Sequence, residues 1–133
     1  FKIILEECSD EDYFNSDIGR IKQILMNLIS NSLKFTHKGG IYLTVSKVKH
    51  FNEQIWQNSC FLQFIVKDTG NGIKEEDQAD LFKIFGKLKQ SNQAMNPNGT
   101  GLGLTICKKL TESLGGKIRL ESEENFGTEV TFC

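Results

Sequence analysis

DIGRIKQILMNLISNSLKF, residues 17–35, decides how the rest of the chain is read. At about 100° per residue, Arg20, Gln23, Asn27, Asn31 and Lys34 fall within one arc of roughly 80°. Ile18, Ile21, Ile24, Leu25, Leu28, Ile29 and Leu33 fill the other side. This spacing predicts an amphipathic helix with a broad buried face. Its polar face is unusual. Two asparagines sit mid-helix at i and i+4, although Asn competes for its own backbone and weakens helices. Taken alone, the face reads equally as a solvated surface or as two amides and an ammonium converging on an anionic, oxygen-rich ligand.

Working outward, FKIILEE (1–7) reads as a strand, and Asp17 is a good N-cap after an acidic loop. Gly39-Gly40 ends the helix. IYLTVSKVK (41–49) alternates as a strand with one buried face, and FLQFIVKD (61–68) is apolar enough for an interior strand. Between them, residues 50–59 are polar and read as a hairpin loop, with Trp56 pinned against the sheet. Lys74 to Phe85 is predicted helical, with Glu75, Glu76 and Asp77 favouring its N-terminal dipole. Residues 86–99 hold the only proline and no period, as expected of a functional loop. A further helix follows from Leu102 to Leu114, and KIRLES (117–122) and TEVTF (128–132) close the chain as a hairpin. The order β-α-β-β-α-loop-α-β-β implies an α+β two-layer sandwich, with a mixed sheet of about five strands on three helices.

A chain of 133 residues, 38% hydrophobic and 25% charged, suits one soluble domain spanning 1–133. It begins at Phe1, so a segment of a larger protein is expected. No apolar run reaches the roughly 18 residues of a membrane span, so a membrane would enter only through the parent, and the domain itself is expected to be cytoplasmic. The net charge of −1 is uneven: Lys83 to Lys109 holds five lysines and no acid, against 11 basic and 17 acidic residues elsewhere. Such a local basic segment suits a small polyanion better than nucleic acid. Cys8, Cys60, Cys107 and Cys133 make no metal-ligand spacing and read as free thiols, with disulfides the lesser alternative. His37 and His50 are expected at the surface.

Two further stretches carry chemistry. Asp68-Thr69-Gly70-Asn71-Gly72 ends the interior strand and offers a carboxylate beside a backbone that a flat ligand can approach closely. The same residues would also make a good turn. Gly99-Thr100-Gly101-Leu102-Gly103-Leu104 opens a helix directly after the basic loop, where N–H groups and the positive helix end suit phosphate oxygens. It matches neither the dinucleotide fingerprint nor the P-loop.

Together these stretches resemble the ATP-binding catalytic domain of histidine kinases, within the superfamily of gyrase-type, heat-shock-chaperone and mismatch-repair ATPases. Residues 27–36 look like the N box, Asp68 to Ile73 the G1 box, and Leu81 to Lys87 the F box. Residues 99–104 are similar to the G2 box, and Leu114-Gly-Gly116 with Phe126-Gly127-Thr128 to the closing hairpin. The order and spacing hold over essentially the whole chain. The resemblance implies that Asn31 coordinates Mg²⁺, with Asn27 near the ion and phosphates, Lys34 on phosphate and Phe35 on the nucleoside. It implies that Asp68 accepts the adenine amino group in a pocket lined by Gly70, Gly72 and Ile73, with Thr128 assisting through water. Gly99, Gly101 and Gly103, with Leu102 and Leu104, would form the phosphate end of a mobile ATP lid over about 86–99, and Lys87 would point toward the phosphates. Asn125 stands where the hairpin often has Gly, a change that Asn tolerates in the left-handed region.

The activity so implied is transfer of the ATP γ-phosphoryl group to a histidine on a separate dimerisation domain of the same parent, then to a response-regulator receiver domain. His37 is in no phosphoacceptor motif. The hydrolytic relatives place a water-activating Glu one turn before the magnesium Asn. Here that position is Asn27, so poor hydrolysis is expected. The alternatives are a nucleotide-binding-only or serine-kinase member of the superfamily. More remotely, Asp68-Thr69-Gly70 suggests an aspartic-protease half, which would be nearly all β.

Overall fold

A computed structural model describes residues 1–6, 13–49, 60–78, 81 and 102–133. The elements are β1 (Lys2–Glu6), α1 (Ile18–Phe35), β2 (Ile41–Lys49), β3 (Cys60–Asp68), α2 (Glu75–Gln78), α3 (Gly103–Ser113), β4 (Ile118–Glu123) and β5 (Gly127–Phe132). The predicted 50–59 hairpin loop, with Trp56, and the expected surface position of His50 lie outside the described residues. So do Cys8, residues 82–85 of the second predicted helix and the whole 86–99 loop. His37 is exposed.

The five strands form one mixed sheet in the order β1-β2-β3-β5-β4. β1 runs parallel to β2, and the other neighbours are antiparallel. Directly paired residues share a face, so the register lays out rows across the sheet. One inner row is Val45, Phe64, Phe132 and Ile118; the next is Leu43, Val66, Val130 and Leu120. These two rows are apolar. The third is Ile41, Asp68, Thr128 and Ser122, and it turns polar. The outer face is polar where Lys67 meets Glu129 at 3.0 Å.

α1 lies on the inner face. Asp17 caps it, accepting the Arg20 N–H at 3.1 Å, and the Thr36 N–H closes its other end on the Ser32 carbonyl at 2.9 Å. Its buried residues are Ile24, Leu28 and Ser32, a single i, i+4 stripe. The stripe thus repeats the order of the rows beneath it, two apolar positions and then a polar one. The core joins Ile24 and Leu28 to Leu43, Phe64, Val66, Cys107, Val130 and Phe132. The Phe64 and Phe132 rings stack at 4.8 Å.

α3 lies antiparallel beside α1. Arg20 Nη1 donates to Ser113 Oγ at 2.9 Å, the Cys107 thiol reaches the Ile24 carbonyl at 3.8 Å, and Asn27 and Asn31 face Gly103.

One expectation for α1 needs correcting. Ile18 and Leu33, assigned to the buried side, are 63% and 65% exposed. The apolar arc is wider than the sheet and α3 can cover, and among the described residues nothing packs on that flank. The aspartic-protease alternative is also excluded, because an 18-residue helix lies across the sheet.

Candidate functional site

The site is built where the polar row of the sheet meets the last turns of α1. β3 ends at Asp68, which is 7% exposed although it carries a carboxylate. A buried carboxylate must be hydrogen-bonded. Asp68 Oδ1 accepts the Gly70 N–H at 3.0 Å and the Thr128 N–H at 3.3 Å. Oδ2 accepts the hydroxyl of Ser32 at 2.9 Å. Strand, turn, hairpin and helix therefore all hold this one side chain.

The turn after Asp68 is clamped from both sides. The Asn71 N–H donates to the Phe35 carbonyl at 3.1 Å, and the Asn71 carbonyl accepts the Asn125 N–H at 2.7 Å. A side chain at Gly70 would run into the Phe35 carbonyl. Gly72 has φ +63°, and a Cβ there would overlap the Glu123 carbonyl. These glycines let the turn lie flat between helix and hairpin, a closer fit than any residue with a Cβ allows. In the hairpin itself Asn125 adopts φ 68°, the conformation expected of it.

The second half of the site lies one turn back along α1. A Cβ on Gly103 would sit 3.7 Å from Asn27 Oδ1 and 3.8 Å from Asn31 Nδ2. The first residue of α3 thus faces both mid-helix amides. Leu102 caps α3 without a side-chain hydrogen bond, and Leu104 packs against the core. Oriented N–H groups and the positive end of the helix dipole meet the two amides here, an arrangement suited to anionic oxygens. Lys34 is exposed in the last turn of α1, and Phe35 is half-buried.

Thr128, Ile73, Lys87, Gly99 and Gly101 make up the rest of the expected set. The Thr128 hydroxyl pairs with Ser122 Oγ at 2.9 Å, so its described link to Asp68 is through the backbone. Ile73 sits toward α2, where its carbonyl accepts the Gln78 amide at 2.9 Å. There it lines a cleft of about 880 Å³ walled by Glu75, Glu76, Glu121, Glu123 and Glu124. With Lys74 the one basic residue in its lining, that many carboxylates make the cleft itself a poor seat for a triphosphate. Lys87, Gly99 and Gly101 lie outside the described residues.

The sequence reading missed Ser32. It belongs to neither the amide face nor the aliphatic list, yet it is 5% exposed and bonded to Asp68. Its signal was positional: continuing Ile24 and Leu28 by four residues lands on it.

Amide oxygens at Asn27 and Asn31 are hard donors suited to Mg²⁺, which keeps several waters and takes the rest of its shell from phosphate oxygens. Among the described residues, no group of three or more His, Cys, Asp or Glu could hold a metal. An ion here would therefore come with its phosphates, and the donor set fits that. Cys60, Cys107 and Cys133 are free thiols among the described residues. Among those residues, no helix is long and apolar enough to cross a membrane.

Residues 16–133 match the family described as histidine kinase-, DNA gyrase B- and HSP90-like ATPase. The chain is 42% identical over 105 residues to hybrid signal transduction histidine kinase C of Dictyostelium discoideum, covering 79% of this chain and 8% of that protein. It is 41% identical over 112 residues to the virulence sensor protein BvgS of Bordetella bronchiseptica, covering 84% of this chain and 9% of that one. The chain thus spans less than a tenth of these relatives' length. Among solved structures, full-length ShkA in complex with AMPPNP superposes with a TM-score of 0.72 at 30% identity, covering 98% of this chain and 24% of that one.

Proposed function

Because this chain belongs to the histidine kinase-, DNA gyrase B- and HSP90-like ATPase family, as a catalytic domain of the histidine kinase kind, we propose that it binds Mg-ATP and presents the γ-phosphoryl group to a histidine on a separate dimerisation domain. A receiver-domain aspartate would take the group next. The observation that carries this reading is the division of labour along α1. Its Ser32 side holds a buried carboxylate at the polar edge of the sheet, and its Asn27 and Asn31 side faces the start of α3.

Asp68 is the acceptor for the adenine amino group. A base presenting a carbonyl oxygen there would leave two acceptors facing each other with no proton between them. Gly70 and Gly72 keep the pocket floor flat enough for a ring. Asn31, with Asn27 beside it, would hold Mg²⁺ by amide oxygen, and the ion would neutralise phosphate charge. Lys34 and the α3 N-terminus orient the triphosphate. Ile73, Lys87, Gly99, Gly101, Leu102, Gly103, Leu104 and Thr128 complete the proposed nucleotide-binding set, and Phe35 lies against the nucleoside. The 1–133 chain would act as one catalytic unit.

Asn27 carries no general base, so water is not activated at the position where the hydrolytic relatives activate it. The domain holds ATP for an incoming imidazole, and its catalysis is positioning and electrostatics.

The test is calorimetric titration with non-hydrolysable ATP and GTP analogues, with and without Mg²⁺, on the wild type and on Asp68→Asn. Adenine-selective, Mg²⁺-dependent binding between μM and mM, about −8 to −4 kcal/mol, is expected for the wild type, with selectivity lost in the variant. Equal affinity of the wild type for both analogues, or none for either, would overturn the assignment.

A further inference from the structure

The hydrogen-bond inventory of Asp68 shows where its remaining acceptor capacity lies. An ionised carboxylate only accepts, and each oxygen offers about two lone-pair sites. Oδ1 has two donors, the N–H groups of Gly70 and Thr128. Oδ2 has one among the described residues, the Ser32 hydroxyl at 2.9 Å. A ligand amino group must therefore use Oδ2, the oxygen that Ser32 holds. Facing a carboxylate, Ser32 has to donate its single proton to it, and its own lone pairs can then only accept. Ser32 and Asp68 together present an edge of acceptors alone. Both residues are buried, at 5% and 7% exposure, so water cannot readily substitute for a missing partner.

We propose that Ser32 is a positioning residue for base selectivity, acting through Asp68. It fixes the carboxylate with Oδ2 turned to the ligand, and it spends the one proton that could otherwise have welcomed a carbonyl oxygen. Adenine, with an exocyclic amino group, satisfies this edge; guanine, with a carbonyl oxygen at the same ring position, meets acceptors. This inference rests on the reading of Asp68 as the base acceptor given above. The α1 stripe explains why the residue is a serine: position 32 continues Ile24 and Leu28 but stands over the polar row, where an aliphatic side chain would leave Oδ2 with no donor among the described residues.

The experiment is a double-mutant cycle on this 133-residue chain, with Ser32→Ala, Asp68→Asn and the double variant titrated with non-hydrolysable ATP and GTP analogues, and thermal unfolding recorded for each. Losing a hydrogen bond to a charged group predicts that Ser32→Ala weakens the ATP analogue roughly tenfold and narrows the ATP-to-GTP ratio, with Mg²⁺ dependence kept. In the Asp68→Asn background the same change should alter affinity less than about twofold, because the group it acts through is gone. A wild-type ratio in Ser32→Ala overturns the proposal, as does an equal loss for both analogues or an undiminished effect in the Asp68→Asn background. Should Ser32→Ala not fold, Ser32→Cys replaces it as a weaker donor of similar size, and a wild-type ratio there overturns the proposal equally. A wild type that does not discriminate between the analogues defeats the Asp68 reading itself. Discrimination lost in Asp68→Asn but intact in Ser32→Ala defeats only the role of Ser32.

Discussion

Thr111 shows how differently two buried hydroxyls behave. It is 0% exposed, and among the described residues its Oγ1 has no hydrogen-bond partner. Ser32 is nearly as buried but bonds to a carboxylate. An unsatisfied buried hydroxyl forfeits its hydration without return. Replacing Thr111 by Val keeps the shape and removes the penalty, so stability should rise by about 1 kcal/mol. Urea unfolding measures this directly, and a destabilised Thr111→Val would show that the hydroxyl has a partner after all. At this scale the sequence was informative about Asp68, Asn27 and Asn31, whose chemistry is out of place in an ordinary turn or solvated face. It was silent about Ser32 because a serine in a helix has many uses, and only its partner selects among them.

At the scale of elements, the contact of α1 with α3 has a chemical marker. Cys107 is 0% exposed between the helices, and burial pushes its thiol up to about 12 from an ordinary value near 9. The folded state thus keeps its proton over a range where the unfolded chain has lost it. The resulting stability is fully present below about pH 9 and falls as the pH rises toward 12, by roughly 4 kcal/mol in total at 1.36 kcal/mol per unit. Other groups titrate in that range, so the quantity to measure is the stability of wild type minus that of Cys107→Ala. That difference should decline above pH 9, and a flat one would mean the thiol is not buried in solution. The helices themselves were legible. Asp17 and the aliphatic period define α1 locally, and dipeptide glycines mark the ends of α1 and α3. The width of the buried face of α1 was not legible, as Ile18 and Leu33 show: a helical period says which residues could be covered, not what is there to cover them.

For the whole molecule, burial is concentrated on one side. Ile24 is 0% exposed at the centre of the core, whereas Ile3 and Leu5 on the edge strand β1 are 59% and 71% exposed. The register places these two on the same face as Leu43 and Val45. Their hydrophobicity therefore contributes little to the stability of this chain. Ile24→Ala should cost about 3 kcal/mol through lost burial and the cavity left behind, whereas Leu5→Glu should change stability by less than about 1 kcal/mol. Denaturant midpoints compare the two, and a large loss in Leu5→Glu would place β1 inside a cooperative core that the exposures deny.

Local patterning alone determined the helices, the strands, the closing hairpin and the chemistry of the amides and of Asp68, because periodicity, caps and turn residues act over a few positions. Tertiary structure alone decided the strand order, the exposed flank of α1 and the bond between Ser32 and Asp68. The last joins residues 36 apart, and it forms only because a helical stripe and a sheet row change from apolar to polar at the same level. No window of sequence contains that coincidence. It arises when α1 is laid on β3 in one register, so that two buried polar groups satisfy each other.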